Sequence, residues 1–95
     1  MSRPRYDWWG YAKGMIRRYP GAVTARERRA VSEAVRQTLA MPDGEARMHL
    51  VDVIFWRRSH TLSGAAELCH VSERTARRWH TDFILLTARE FGLME

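Results

Sequence analysis

Arg74, Arg77, Arg78 and Thr81 stand at i, i+3, i+4 and i+7, so on a helix they make one stripe, and three of the four carry a guanidinium. That planar fork donates two parallel hydrogen bonds and matches a phosphate, or N7 and O6 on the edge of guanine. Beside them Ser72 and Thr75 add hydroxyls that can bond a phosphate or a base edge, and Glu73 stands on the same free face. Ala76, Trp79 and Phe83 interleave at i, i+3 and i+7, giving the same helix an apolar inside. A duplex reader needs this chemistry, because the major groove is about 12 Å wide and admits one helix.

Such a helix must be held from behind, and the preceding residues supply the means. Thr61 is placed to cap a short helix ending near Cys69, His70 and Val71 make a turn, and Ser72 caps the long helix, whose next stop is Gly92. Ala65 and Ala66 are small enough to let the second helix cross closely. Val71 plugs the corner, while Leu62, Ala65 and Cys69 face Ala76, Trp79 and Phe83. His70 stands where glycine is common in such turns, so the pattern predicts a positive φ there. Small pair, apolar turn residue and capping serine fall in helix-turn-helix register together. The same core also occurs in modules that dock proteins, and an arginine stripe can be a solvated face.

Upstream, Pro20-Gly21 and Pro42-Asp43-Gly44 cut the chain into helix-sized pieces. Trp8, Ala12, Met15, Ile16 and Tyr19 repeat at helical spacing, with Asp7 as N-cap. Thr24 and Glu27 form a capping box ahead of Val31, Ala34, Val35, Thr38 and Leu39. Asp43 is positioned to cap a third helix carrying Leu50, Val51, Ile54 and Phe55. Expected helices lie near 7–18, 25–41, 44–58, 62–69 and 73–91. The fold class is all-α: a single small domain of about five helices, with residues 1–60 as helical support or oligomerisation part and 61–91 as the helix-turn-helix with its long recognition helix.

Composition agrees. The chain has 95 residues, 45% hydrophobic and 28% charged, which suits one globular core. No apolar run reaches the length of a membrane span, and the N-terminus has no apolar stretch for a signal peptide. One cysteine, Cys69, excludes an internal disulfide framework, so a cytoplasmic location is expected. Fifteen of the 16 basic residues are arginine and the net charge is +5, which points to a polyanionic partner. Residues 1–29 hold eight of the bases against two acids. Arg3, Arg5, Arg17, Arg18, Arg26, Arg28 and Arg29 are therefore candidate phosphate contacts. The last three oppose the dipole of the helix that Thr24 caps, unless an anion or Glu27 offsets them.

Tyr6-Asp-Trp-Trp-Gly, Arg17-Arg-Tyr-Pro20, Ile54-Phe-Trp-Arg, Ala65-Ala66, Val71-Ser-Glu-Arg-Thr75 and Phe91-Gly-Leu93 together resemble the small phage-encoded late transcription regulators of the ArpU/RinA type, whose helix-turn-helix is similar to sigma factor region 4. The resemblance spans most of the chain through short motifs. It implies a phage or prophage regulator in a bacterial host cell that binds a promoter region and acts on host RNA polymerase. It carries recognition onto Ser72, Glu73, Arg74, Thr75, Arg77 and Arg78. Unlike a sigma region, this chain has a tryptophan-rich N-terminal helix.

Remaining constellations carry less. Cys69-His70 with His60 and His80 lacks the paired spacing of a zinc site, so no metal or cofactor is expected. His49 and Asp52 lie at i, i+3 with no nucleophile, and an enzyme is not expected. Trp9 and Tyr11 lie off the inward stripe; they suit a homodimer interface, base stacking, or cover for neighbouring helices, and the interface is preferred because aromatics are enriched there. The expected function is a sequence-specific double-stranded DNA-binding regulator. The alternatives are a DNA-packaging subunit like the small terminases, or a protein-docking adaptor that never touches DNA.

Overall fold

The computed structural model describes residues 7–94, and all its regular elements are helical. Arg3 and Arg5, and Tyr6 of the first resemblance motif, lie outside the described residues. In chain order stand α1 (Trp9–Arg18), α2 (Ala25–Leu39), α3 (Gly44–Val51), a π-helical turn (Asp52–Trp56), α4 (Leu62–Leu68) and α5 (Glu73–Phe91). No helix is long and apolar enough to cross a membrane among these residues.

α1 begins two residues later than the pattern predicts. Asp7 is exposed in a turn, and Trp8 takes the cap position with no side-chain cap bond. Its buried face is the expected one, Ala12, Met15 and Ile16. The other end is closed from a distance, since the Trp56 indole Nε1 donates to the Ile16 carbonyl at 2.8 Å.

α2 opens with the expected capping box: the Glu27 amide donates to Thr24 Oγ1 at 3.1 Å and the Thr24 amide to Glu27 Oε1 at 2.9 Å. It ends at Leu39 rather than Met41, because a residue before proline is driven out of helical conformation and Met41 precedes Pro42. Gly44 then backs into the end of α2. A Cβ there would stand 2.5 Å from the Leu39 carbonyl oxygen and 2.7 Å from that of Thr38, so only glycine fits.

The expected Asp43 cap is not made: Asp43 sits at the cap position with φ 60 and no side-chain bond to the helix. The third helix also fails to run unbroken to Arg58. At Asp52 it widens into the π turn, closed by the Arg57 amide on the Asp52 carbonyl at 2.8 Å. The wider turn shifts the register of side chains, and here Phe55 enters the core while Trp56 reaches α1.

Two apolar clusters result. The larger joins Met15 and Ile16 of α1, Val31 and Ala34 of α2, Phe55, and Phe83, Ile84 and Ala88 from the C-terminal half of α5. The smaller joins Leu50, Val53, Ala65, Ala66, Ala76 and Trp79, with Leu62, Cys69 and Val71 packed around it. Thus α5 is anchored twice, and its first half rests on the smaller cluster.

Candidate nucleic-acid interface

The turn between α4 and α5 sets the direction in which α5 leaves. Thr61 Oγ1 accepts from the Gly64 amide at 3.1 Å and starts α4. At its end the His70 amide donates to Glu67 and the Val71 amide to Ala66, at 3.1 and 3.0 Å. This pair of bonds satisfies the last carbonyls of a helix when the intervening residue is left-handed. His70 is that residue, with φ 56, as its position predicts. Ser72 then caps α5, accepting from the Thr75 amide at 3.0 Å.

Ala76 and Trp79, 0% and 4% exposed, fix which way α5 faces. Arg74, Arg77 and Arg78 are consequently exposed, and Thr75 and Thr81 half-buried at the edge. Their side chains differ in how free they are. Ser72 and Thr75 hydroxyls bond each other at 3.0 Å. The Glu73 carboxylate accepts from the Ser63 hydroxyl at 2.9 Å and from Arg77 Nη2 at 3.3 Å. Arg74 and Arg78 have no hydrogen-bond or ion-pair partner among the described residues, so both forks are open to an anion. The Arg77–Glu73 pair is itself well exposed, at 63% and 53% of the two side chains. Exposed i, i+4 pairs stabilise by about 0.3–0.5 kcal/mol, little enough for Arg77 to change partner.

One supporting residue has no signal in the sequence. Arg47 of α3 is mostly buried against α5, its guanidinium 5.4 Å from the Trp79 ring centre and 3.3 Å from Asp82 Oδ2, while its Nε donates to the Pro42 carbonyl. The pairings span 32 and 35 residues, and no local pattern could have marked them. His80, next to Trp79, stacks on Phe55 with ring centres 5.1 Å apart and planes 6° from parallel. Burial, with a smaller push from Lys13, lowers its pKa to about 4, so the ring is neutral at pH 7.

The other basic candidates lie elsewhere and are mostly occupied. Arg18 pairs with Glu27 at 3.1 Å. Arg26 donates to the Phe91 carbonyl at 2.8 Å and covers the Phe91 ring, and Arg28 donates to the Gly21 carbonyl and lies over Tyr19. Arg17 and Arg29 are exposed and have no hydrogen-bond or ion-pair partner among the described residues. Glu27 sits among these cations. The Thr24 amide and then the Tyr11 hydroxyl hold its carboxyl down at about 2, which keeps a negative charge in the first turn of α2.

Trp9 is half-buried against the larger cluster and beside Trp8. The Tyr11 ring is 42% exposed, yet its hydroxyl donates to Glu27 Oε2 at 2.7 Å and its edge meets Phe91. Among the described residues no three histidine, cysteine, aspartate or glutamate side chains are grouped to hold a metal ion. Asp52 pairs with Arg57 at 2.8 Å, and His49 is exposed. The Cys69 thiol points at the Ala46 carbonyl, and burial raises its pKa.

Compared with protein-family models, with curated proteins and with solved structures, the chain matches none. Its function must therefore be argued from the geometry of its own residues.

Proposed function

We propose that this chain is a sequence-specific double-stranded DNA-binding regulator that lays the first half of α5 in the major groove. The observation that carries the reading is the pair of open guanidiniums at Arg74 and Arg78. They stand one turn apart on the outer face of a helix whose inner face is locked by Ala76 and Trp79. Groove reading rewards a rigid helix, because base-edge bonds depend on register, and the capped turn with Arg47 behind it supplies that rigidity. Arg77, Glu73, Thr75, Ser72 and Thr81 border the two arginines and complete the surface offered to bases and phosphates. The resemblance to phage late regulators points to the same helix and adds host RNA polymerase as a second partner.

Selection of bound duplex fragments from the source genome tests the proposal and separates a promoter from a packaging site. Arg74→Ala and Arg78→Ala should each lower affinity for the selected site by about 1–3 kcal/mol if the arginine reads a base. Circular dichroism should stay unchanged in both. Affinity unaltered in the double variant would remove α5 as the reading element.

A further inference from the structure

Past Thr81 the outer face of α5 changes chemistry. Asp82, Leu85, Leu86 and Arg89 stand at i, i+3, i+4 and i+7, and with Met41 they line an open trough of about 260 Å³. Leu85 belongs to neither core cluster, and Leu86 touches the larger one from its edge. Leu39, two residues from Met41 along the chain, is 51% exposed. Half-buried apolar side chains in a stripe, ended by one charge of each sign, mark an interaction surface more than a solvated face.

We propose that this stripe is covered by α5 of a second copy of the chain, packed antiparallel about a two-fold axis that passes between Leu85 and Leu86. The charges select that occupant. In a two-fold antiparallel pair, Asp82 of each copy faces Arg89 of the other, and Leu85 of each faces Leu86, so the stripe is its own complement. A parallel pair would set Asp82 against Asp82 and Arg89 against Arg89. Both charged groups are available: Arg89 has no hydrogen-bond or ion-pair partner among the described residues, and Asp82, 40% exposed, meets Arg47 through Oδ2 alone. Tyr11 suits this role less well, since its hydroxyl and ring are engaged with Glu27 and Phe91, and Trp9 is partly buried against the larger cluster.

The pairing deepens the DNA-reading proposal, and this one consequence rests on it. At 1.5 Å rise per residue and an interaxial distance of 8–10 Å, the two Arg74–Arg78 segments come to lie about 30 Å apart. Half-sites one turn apart are separated by about 34 Å, so two copies would meet successive major grooves on one side of the duplex.

Sedimentation of the full chain without DNA tests the pairing separately from DNA binding. A dimer is expected at about 100 μM, well above a micromolar Kd. Leu85→Glu should halve the sedimenting mass while leaving the helical circular dichroism at about 25 °C unchanged, and its Tm should lose the concentration dependence that a dimer confers. Asp82→Arg and Arg89→Asp should each be monomeric alone, yet dimeric when mixed, because each then offers the other the charge that its own copy lacks. A monomeric wild type at that concentration overturns the pairing, as does a dimer that survives both Leu85→Glu and Arg89→Asp. A mixture of the two charge variants that stays monomeric overturns it as well. A monomer that still binds the selected duplex would leave the reading of α5 intact.

Discussion

At the scale of single residues, α5 is defined by how differently two neighbours on its surface are held. Arg78 has no hydrogen-bond or ion-pair partner among the described residues, whereas Trp79 fills the smaller core against Ala65, Ala66 and Leu50, with Arg47 laid over its ring. Trp79→Ala should therefore cost about 3–5 kcal/mol, a large part of the 5–15 kcal/mol that stabilises a domain. Arg78→Ala should leave the thermal melt where it was, and equal melts for the two variants would mean that the faces of α5 are reversed. His80 gives the same helix a pH signature. Its folded pKa is near 4 because burial and Lys13 disfavour the charged ring, while in the unfolded chain it lies near 6.5. Stability from the neutral ring is thus full above pH 6.5 and is lost as pH falls from 6.5 to 4, since the unfolded chain takes up the proton first. His80→Phe keeps a ring on Phe55 and removes the proton, so its Tm should fall less than the wild-type Tm between pH 7 and 4.5. Parallel curves would mean that the imidazole is solvated.

At the scale of elements, what was legible in the sequence was what is local. The capping box at Thr24 and Glu27, the caps Thr61 and Ser72, the left-handed His70 and the stop at Gly92 are each decided within a few residues. Asp7 and Asp43 fit the same rule on paper, but neither caps. The chain enters α1 through Trp8, and Asp43 itself turns left-handed so that Gly44 can press on the carbonyls of α2. The π turn was not legible either, for it matches Phe55 and Trp56 to partners on α5 and α1 that are distant in sequence. Spacing alone puts the three arginines of α5 on its exposed side, whereas the local ties of Arg77, Ser72 and Thr75 depend on rotamers that spacing does not fix. His70 gives a test at this scale. A non-glycine residue in left-handed conformation costs roughly 1–2 kcal/mol, partly offset by the greater freedom of glycine when unfolded. His70→Gly should consequently stabilise by about 0.5–1 kcal/mol in denaturant titration. A loss of stability would show that the imidazole makes contacts that the turn depends on.

At the scale of the whole molecule, a net charge of +5 conceals a division of labour among the 13 arginines of the described residues. Seven are tied to carboxylates, carbonyls or rings, leaving Arg17, Arg29, Arg58, Arg74, Arg78 and Arg89 without a hydrogen bond or ion pair among the described residues. Arg74 and Arg78 lie on the first half of α5. Arg29 lines the same hollow as Arg26, Phe91 and Gly92, at the far end of that helix. The 13 residues from Arg78 to Phe91 span about 20 Å, so a duplex centred on the first half of α5 need not reach Arg29. Salt dependence can distinguish the two ends, because each neutralised phosphate adds about 0.9 to the slope of log K against log salt. Where Arg74 or Arg78 contacts a phosphate, its replacement by alanine should flatten the slope by about 0.9 per bound chain. Where it reads a base, affinity should fall at the selected site with little change in slope. Arg17→Ala and Arg29→Ala should change neither quantity. If those two instead flatten the slope while Arg74→Ala and Arg78→Ala leave slope and affinity untouched, the duplex runs over the α1–α2 end, and the open face of α5 serves another partner.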